Sequence, residues 1–266
     1  MPATILSGRT VRDALVPELI KKIEALSFVP TLAIIQVGTR EDSTAFINAK
    51  RRFAAKIGVQ EKHIQLPETI SEAELISKIQ ECNDDASIHA LIVQLPLPPH
   101  MNRDKVIAHI DPAKDADGLT TGAKVMPATA RGIRELLAFY HVPISGKKVA
   151  VIGRSLLVGT PVAEMCRQAG AQVTVCHRGT PDLVKETQAA DVIIVAAGSA
   201  GLIRKDHVRE GQIVIDVGIN TSSEGKMVGD VSREVADVVA MITPVPGGVG
   251  PMTVCALFEN VLDLCK

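Results

Sequence analysis

The sequence predicts an α/β protein of two domains whose strands form parallel sheets. Segments typical of strands alternate with segments typical of helices along most of the 266 residues, and this alternation favours parallel sheets with right-handed crossovers. Aromatic residues make up only 2% of the chain, so the core must be built from Ile, Val, Leu and Ala. Such aliphatic strands suit a buried parallel sheet better than an aromatic-rich sandwich.

The charge balance and the cysteines exclude several classes of protein. Lys and Arg total 29 and Asp and Glu total 30, which gives a net charge of −1 and argues against nucleic-acid binding. The longest apolar stretches, such as 192–197, are far shorter than the ~20 residues of a membrane span. The charged N-terminal segment does not have the pattern of a signal peptide, and the five cysteines include no Cys-x-x-Cys pair. We therefore expect a cytoplasmic protein with reduced thiols and no membrane partner.

Capping residues and prolines set the limits of the elements in the first half of the chain. Serine favours the first turn of a helix, glycine commonly follows the last turn, and proline interrupts a strand. The predicted elements are a helix from Ser7 towards Leu26 kinked at Pro17, a strand over Thr31–Val37, a helix over Glu41–Ile57 closed by Gly58, a short strand near His63–Leu66, a helix from the capping box Ser71–Glu74 to about Asp84, and a strand over Ala90–Leu95 that Pro96 stops.

The second half repeats the alternation after a segment over 111–127 that is poor in periodic apolar residues. The predicted elements are a helix over Ala128–His141, a strand over Lys148–Ile152, a helix over Val158–Ala169, a strand over Gln172–Cys176, a helix over Pro181–Ala189, strands over Asp191–Ala196, Ile213–Val217 and near Val238–Ile242, and a helix over Pro251–Leu264. We expect an N-terminal domain over residues 1–126, completed by the helix over 251–266, and a second domain over 127–250.

A candidate nucleotide-binding turn lies in the second domain. The segment Val149–Pro161 has the order of a dinucleotide-binding unit, namely a strand, a tight turn and the start of a helix. Gly153 begins the turn, Ser155 replaces the usual second glycine, and Gly159 comes one residue later than usual. The turn can offer backbone N–H groups and a helix N-terminus to a pyrophosphate. An ordinary turn of a parallel sheet is the alternative.

Two arginines favour NADP over NAD at this turn. The second strand of the unit ends near Cys176, where an NAD site typically places an acid on the ribose. This chain has Arg178 there, and Arg154 lies in the turn beside it. Guanidinium groups bind phosphate bidentately and therefore favour a 2′-phosphate. The alternative is that Arg178 is a solvated loop residue.

Polar residues of the first domain form a second candidate site. Ser43, Phe46, Ile47 and Lys50 share one helix face because they are three, four and seven residues apart. Lys50 either extends its amine to solvent or is a buried amine that moves protons, and its neighbours in sequence do not decide between these. Gln94 ends a strand at the edge where α/β proteins bind ligands, so it binds a ligand or Lys50, or is a satisfied strand-end amide.

Two loops have an unusual composition. The run Asp115–Gly118 suits an Asx turn and lacks the spacing of a calcium loop, so we predict no metal site there. The run Thr243–Thr253 contains three prolines and three glycines directly before a helix. Such a loop combines close backbone approach with stiffness, which indicates a binding role more than a simple turn.

Eight stretches, in this order, resemble the methylenetetrahydrofolate dehydrogenase/methenyltetrahydrofolate cyclohydrolase family. The stretches are 30–38, the pattern Ser43-x-x-Phe46-x-x-x-Lys50, 93–98, 114–118, 153–161, 214–220, 228–231 and 242–253. The last of them is highly specific. The resemblance implies an α/β folate-cleft domain and a Rossmann-like NADP-binding domain with the cleft between them, usually in a homodimer formed through the NADP-binding domains.

The resemblance also implies an activity and a set of site residues. Family members oxidise 5,10-methylenetetrahydrofolate with NADP as cofactor and hydrolyse the methenyl product to 10-formyltetrahydrofolate. The implied catalytic residues are Lys50, Gln94, which tunes it, and Asp117, which binds the pterin ring. The implied folate-binding residues are Ser43, Phe46, Pro246, Gly247, Gly250 and Thr253, and the implied NADP-binding residues are Gly153, Arg154, Ser155, Gly159, Arg178 and Ile219.

Two departures from the family pattern bear on this expectation. Phe46 stands where the family usually has Tyr, so stacking on the folate is kept and a hydrogen bond is lost. The stretch Gly118–Pro127 is shorter than usual, and Pro127-Ala-Thr-Ala-Arg-Gly132 replaces the common Pro-Cys-Thr-Pro-x-Gly. Because the three implied catalytic residues are retained, we expect an active enzyme.

Three alternative hypotheses stay open on the sequence alone. One is a member that has only one of the two activities because of Phe46. Another is a folate- or nucleotide-binding protein without turnover, suggested by the altered segment 118–132. The last is a two-domain NADP dehydrogenase of other small metabolites, which would not bind folate.

Overall fold

The computed structural model describes residues 2–266, and its contacts divide the chain into two compact units. The three-stranded unit comprises Leu15–Ala128 and Val254–Lys266, and the six-stranded unit comprises the residues up to Ala14 together with Thr129–Thr253. None of the helices in the described residues is long and apolar enough to cross a membrane.

The three-stranded unit is a small parallel sheet covered by helices. Its elements are the main part of α1 (Gly8–Glu24), β2 (Thr31–Val37), α2 (Glu41–Ile57), β3 (Gln60–Leu66), α3 (Glu72–Asp84), β4 (Ala90–Val93), α4 (Arg103–Ile107) and most of α8 (Val249–Leu264). The strand order is β3-β2-β4, and all pairs are parallel.

Both faces of this sheet are buried, as its continuous apolar strands require. Leu32 and Ile34 of β2 belong to one core cluster with Phe53 of α2 and Phe258 of α8. Ala33 and Ile35 point to the other face, where α3 and α4 cover them. The side chains of a strand alternate between faces, so one apolar strand contributes to two cores.

The helix limits follow the capping residues that the sequence indicates. Gly58 closes α2 in a left-handed conformation with φ of 85°, and its N–H donates to the carbonyl of Ala54. At the start of α3 the hydroxyl oxygen of Ser71 accepts the N–H of Glu74 at 3.2 Å, and the Glu74 carboxylate accepts the N–H of Ser71 at 2.9 Å. Both predicted caps are therefore confirmed.

The six-stranded unit is a doubly wound parallel sheet. Its elements are β1 (Thr4–Ile5), α5 (Ala128–Phe139), β5 (Lys148–Ile152), α6 (Gly159–Gln168), β6 (Gln172–Cys176), α7 (Leu183–Ala189), β7 (Val192–Val195), β8 (Ile213–Asp216), the antiparallel pair β9 (Asn220–Thr221) and β10 (Met227–Val228), and β11 (Met241–Ile242). The strand order is β1-β11-β8-β7-β5-β6, with every pair parallel. β6 and β7 lie on opposite sides of β5, so the order reverses at β5, and ligands bind at such a point. The predicted fold class, α/β with parallel sheets and a Rossmann-like second half, is confirmed.

The structure differs from the sequence-based expectation at several short elements. β1 pairs with β11, so the first 14 residues lie in the six-stranded unit and not with the N-terminal domain. β1, β9, β10 and the short helix α4 were not predicted, and the strand expected near Val238–Ile242 is only the two residues of β11. The strands in question have only two residues each, and the five residues of α4 are less than two helical turns, so neither shows a periodicity in the sequence.

Within the six-stranded unit, helix α5 approaches the first residues of α8 through a glycine. A Cβ placed on Gly132 of α5 would meet the backbone carbonyl of Met252, in α8, at 2.8 Å. Real Cβ contacts are essentially never this short, so the backbones lie this close only because residue 132 has no side chain. Ala130 and Ile133 of α5 are buried beside this point.

We expect Gly132→Ala to lower the free energy of unfolding by about 2 kcal/mol, since overpacking a close contact commonly costs about 1–3 kcal/mol. Gly250→Ala is the matched control, because a Cβ there would meet nothing within 4 Å and alanine favours a helix. Urea unfolding followed by circular dichroism measures both variants. Equal stabilities of the two variants would contradict the close approach.

Candidate functional site

The amine of Lys50 is buried at the carboxyl end of the three-stranded sheet. Only 9% of Lys50 is exposed, and its Nζ donates to Oε1 of Gln94 at 2.9 Å. The Gln94 side chain is oriented in turn, because its Nε2 donates to the carbonyl of Leu95 at 2.7 Å. The backbone N–H of Gln94 donates to the carbonyl oxygen of Ile35 in β2 at 2.8 Å. Of the two possibilities for Lys50, the structure therefore has the buried amine, with Gln94 as its partner.

Burial and one carboxylate set the protonation of this amine. Desolvation lowers the pKa of Lys50 from its ordinary value of 10.5, and the negative charge of Asp117 offsets part of that shift. Burial likewise raises the pKa of Asp117. The Lys50 ammonium lowers that pKa, and the negative charge of the neighbouring Asp115 raises it. Burial thus favours the neutral amine more than solvent does, and a neutral amine is what a proton acceptor requires.

A second carboxylate holds the loop that carries Asp117. Asp115 is fully buried; its Oδ1 accepts the N–H of Gly118 at 3.0 Å and its Oδ2 accepts the N–H of Thr120 at 2.7 Å. The predicted Asx turn is therefore wrong in detail, because the carboxylate accepts from residues three and five positions on and an Asx turn is closed by the residue two positions on. Residues around Asp115 also pair in parallel with Leu91 of β4, which sets Asp117 beside the strand that ends before Gln94.

Asn260 holds both ends of the loop that is shortened in this chain. Its Nδ2 donates to the carbonyl oxygens of Ala116 at 2.8 Å and Met126 at 2.9 Å from within α8. Sequence reasoning missed this residue. The available signal was an amide among the apolar residues of the last helix, since a buried amide needs partners.

Ser43 and Phe46 lie on α2 with Lys50, as their spacing predicts. Ser43 is buried and its N–H donates to Oδ1 of Asp42 at 2.7 Å. Phe46 is half-buried, one turn before Lys50. Because its ring carries no hydrogen-bonding group, Phe46 gives the Lys50 amine no polar partner, whereas a tyrosine there would carry a hydroxyl.

A cavity of about 620 Å³ lies at the carboxyl end of β5. Its lining residues are Ile152, Gly153, Arg154, Ser155, His177, Arg178, Gly179, Leu183, Ala196, Ala197, Ser199 and Leu202. It includes the ends of β5, β6 and β7, and therefore occupies the point where the strand order reverses.

Glycines at the turn after β5 are required by close backbone contacts. Gly153 has φ of 117°, and a Cβ on it would meet the carbonyl oxygen of Ala196 at 2.2 Å. A Cβ on Gly159 would meet the carbonyl oxygen of Gly153 at 2.2 Å. The turn therefore packs tightly on the neighbouring strand, as a phosphate-binding turn does.

The structure brings most, but not all, of the predicted nucleotide residues together. Gly153, Arg154, Ser155 and Arg178 line the cavity, whereas Gly159 packs behind the turn and the half-exposed Ile219 is outside the lining. The Ser155 hydroxyl oxygen accepts the N–H groups of Val158 and Gly159 at 3.2 and 3.3 Å, so it caps α6 as well. Sequence reasoning missed His177 and the turn over 196–199, whose signal was a run of small residues directly after a buried strand.

The chemistry of this lining fits NADP. Two guanidinium groups are available to a 2′-phosphate, and none of the twelve lining residues is an acid that would repel it. Apolar side chains, including Leu183 and Leu202, complete the walls. Within residues 2–266, no three His, Cys, Asp or Glu side chains form a group that could hold a metal ion.

The proline- and glycine-rich loop lies at the start of α8, in the six-stranded unit. Gly247 is buried with φ of 110°, and its carbonyl oxygen accepts the N–H of Arg9 at 3.2 Å. Pro246 is exposed and Thr253 is half-buried. α8 begins at Val249, two residues before the predicted start, so Gly250 is in its first turn.

We expect the Lys50 amine to titrate well below 10.5, and this is measurable by NMR of protein labelled at the lysine Cε atoms. The Lys50→Met variant should lack that signal, and Gln94→Leu or Asp117→Asn should lower the pKa of Lys50 further, since each removes a group that stabilises the ammonium.

The lowered pKa of Lys50 also makes stability depend on pH. The unfolded chain binds the Lys50 proton more tightly than the folded protein does. The contribution of Lys50 to stability therefore rises as pH rises from the folded towards the unfolded pKa. A Lys50 signal titrating at the ordinary value would contradict the burial argument.

Comparison with known proteins gives the family. The model of the tetrahydrofolate dehydrogenase/cyclohydrolase catalytic domain matches residues 6–117, and the model of the NAD(P)-binding domain of the same family matches residues 127–266. A protein named bifunctional protein FolD from Ligilactobacillus salivarius is 41% identical over 279 aligned positions, which cover 100% of this chain and 98% of that protein.

Solved structures similar to this chain belong to the same family. The bifunctional FolD methylenetetrahydrofolate dehydrogenase/cyclohydrolase of Campylobacter jejuni is 40% identical, with a TM-score of 0.96 and 99% of each chain covered. The methylenetetrahydrofolate dehydrogenase-cyclohydrolase of Trypanosoma brucei, solved with NADP and an inhibitor, is 35% identical with a TM-score of 0.93, over 99% of this chain and 97% of that one. The chain described here belongs to the tetrahydrofolate dehydrogenase/cyclohydrolase family.

Proposed function

We propose that this protein is an NADP-dependent methylenetetrahydrofolate dehydrogenase and methenyltetrahydrofolate cyclohydrolase. It oxidises 5,10-methylenetetrahydrofolate to the 5,10-methenyl form and hydrolyses that product to 10-formyltetrahydrofolate, in one-carbon metabolism. Both domain models of the family match, and two solved structures of similar length carry both activities in their names. The observation that carries the proposal is the buried Lys50 amine, hydrogen-bonded to Gln94 and influenced by the charge of Asp117.

The oxidation needs a site that tolerates positive charge on the folate. Loss of hydride from the methylene carbon leaves a cation shared by N5, that carbon and N10. A neutral Lys50 amine does not repel this cation, whereas an ordinary ammonium would, so the lowered pKa serves the first step. Asp117 is suited to accept hydrogen bonds from the pterin ring, which has N–H donors. Bound NADP supplies the hydride acceptor, and the residues that would hold it are Arg154 and Arg178 with the turn at Gly153.

The hydrolysis needs one group that takes a proton and later returns it. Water adds to the methenyl carbon, and the Lys50 Nζ accepts the proton that the water loses. The neutral adduct then breaks its bond to N5, which requires a proton at N5, and the Lys50 ammonium donates it. Collapse of the adduct to the formyl group releases one proton to solvent, which balances the step. Gln94 Oε1 keeps the amine oriented in both protonation states, because both have an N–H to donate.

We also propose a homodimer in the cytoplasm. The family resemblance supports the dimer, and the exposed Met227 on the β9–β10 pair is an apolar side chain available for such a contact. The five cysteines are free thiols, four of them buried, which is typical of a reducing compartment. Light scattering on the purified protein measures the mass of the assembly.

Lys50→Met should lower the cyclohydrolase rate by about 10²–10⁴-fold, the usual contribution of a positioned acid–base group. The assay supplies methylenetetrahydrofolate and NADP and follows NADPH and methenyltetrahydrofolate separately, with a correction for spontaneous hydrolysis. Lys56→Met, an exposed position on the same helix, is the matched control and should keep both activities. Wild-type hydrolysis in Lys50→Met would refute the assignment, and folate binding without any turnover in the native protein would favour a binding protein.

Phe46→Tyr should raise the ratio of cyclohydrolase to dehydrogenase rate by about tenfold, because one hydroxyl near the amine adds one hydrogen bond, worth about 1.5 kcal/mol when a charge is involved. The native protein should then accumulate more methenyltetrahydrofolate than the variant under equal NADPH production. Phe139→Tyr, at a partly exposed position, is the control variant. Phe53→Tyr is unsuitable as a control because Phe53 is buried in the core. An unchanged ratio in Phe46→Tyr would show that the missing hydroxyl does not limit hydrolysis.

A further inference from the structure

The carboxylate of Asp230 binds three consecutive backbone N–H groups of the turn that follows β7. Its Oδ2 accepts the N–H groups of Ala197 at 2.7 Å and Gly198 at 2.9 Å, and its Oδ1 accepts that of Ser199 at 2.8 Å. Asn220 supplies a fourth donor, its Nδ2, at 2.8 Å from Oδ1. Asp230 is fully buried, so these bonds are shielded from water.

Three converging N–H groups of successive residues form a concavity that binds anions. In this protein the anion is the side chain of Asp230. Hydrogen bonds to an ionised acceptor are roughly twice as strong as neutral ones, so the turn is held more firmly than its own backbone contacts would hold it. Ala197 and Ser199 line the cavity of about 620 Å³ that also contains Arg154 and Arg178. The position of one cavity wall therefore depends on Asp230.

Asp230 is itself fixed by a second buried carboxylate. Asp216, at the end of β8, accepts the N–H of Asp230 at 3.0 Å through Oδ1 and the N–H of Val231 at 3.0 Å through Oδ2. A Cβ on Gly229 would meet Oδ2 of Asp216 at 1.8 Å, so only glycine permits this approach. Burial raises the pKa of Asp216 to about 6, although its backbone donors oppose that shift. The two carboxylates thus connect β8 to the turn after β7.

We propose that Asp230 is a positioning residue for the dinucleotide: it holds the 197–199 turn in the shape of the cavity wall before the ligand binds. This inference rests on the proposed function in that the ligand is a dinucleotide. Because the wall faces the same cavity as the two arginines, it borders the adenosine half that carries the 2′-phosphate. The stretches 214–220 and 228–231 supply these carboxylates and Asn220, and this connection gives them a role that the lining residues alone do not explain.

Asp230→Asn is the direct test, because asparagine keeps the shape and replaces one acceptor oxygen by a donor. We expect the Kd of NADPH to rise about tenfold, the effect of losing one charge-assisted hydrogen bond. Adenosine 2′,5′-bisphosphate, which probes only the adenosine half, should weaken by a similar factor. The ratio of NADPH to NADH affinity should stay as in the native protein, since the arginines are untouched. Calorimetric titration of the full chain measures all three ligands.

Two further variants keep the test decisive. Asn220→Ala removes one donor to Asp230 without placing a donor against the turn, so it should weaken NADPH by about threefold, and it replaces Asp230→Asn if that variant fails to fold. Asp237→Asn, an exposed carboxylate 3.2 Å from Lys205 in the same unit, is the control and should bind as the native protein does.

The outcomes separate the inference from the proposed function. Native NADPH affinity in folded Asp230→Asn, or in Asn220→Ala where Asp230→Asn does not fold, would overturn the inference. So would a loss confined to NADPH with NADH binding unchanged, because the turn would then act through the 2′-phosphate. Arg178→Ala tests the NADP assignment independently. If this variant keeps the preference for NADPH over NADH while Asp230→Asn weakens the binding of both dinucleotides, the assignment of Arg178 to the 2′-phosphate is wrong and the positioning role of Asp230 stands.

Discussion

The two main sheets are entirely parallel, and this constraint decides where the polar chemistry lies. The carboxyl ends of parallel strands lie at the same end of a sheet, while the helices that connect the strands bury both of its faces. Gln94 follows β4, Gly153 follows β5, Arg178 follows β6, and the turn at Ala197 follows β7. In each sheet the polar groups therefore lie together at the carboxyl end of the strands. The buried apolar strands that precede them give the rigid support that positioning of ligands requires.

At Lys50 two physical effects compete. Desolvation favours the neutral amine, and the charge of Asp117 favours the ammonium; desolvation dominates. Burying an amine costs free energy unless its hydrogen bonds are satisfied, and Gln94 supplies that satisfaction without adding a charge. A carboxylate in place of Gln94 would have pinned the proton on the lysine. A neutral amide leaves the amine able to take up and release the proton, which is the property that the proposed hydrolytic step requires.

Three buried carboxylates organise backbone instead of performing chemistry. Asp115 holds the loop of Asp117, Asp216 holds the segment that carries Asp230, and Asp230 holds the wall of the dinucleotide cavity. Each accepts two or more backbone N–H groups, the usual requirement for placing such a charge inside a protein. In the sequence these residues have the same appearance as catalytic acids, and only their hydrogen-bond partners distinguish the two uses.

By itself the sequence determined the fold class, the long helices and strands, and the family. Periodicity and capping residues act over one or two turns, so Ser71 and Gly58 were sufficient to set helix limits. It also singled out Lys50, Gln94 and Arg178 as candidate site residues, because the motifs that carry them are local. The tertiary structure alone decided that Lys50 is buried, that Asn260 holds the loop ends over 116–126, that β1 joins the other sheet, and that Asp230 binds the 197–199 turn. The physical reason is common to all four: each depends on desolvation or on hydrogen bonds between residues distant along the chain, and no local pattern of residues encodes those contacts.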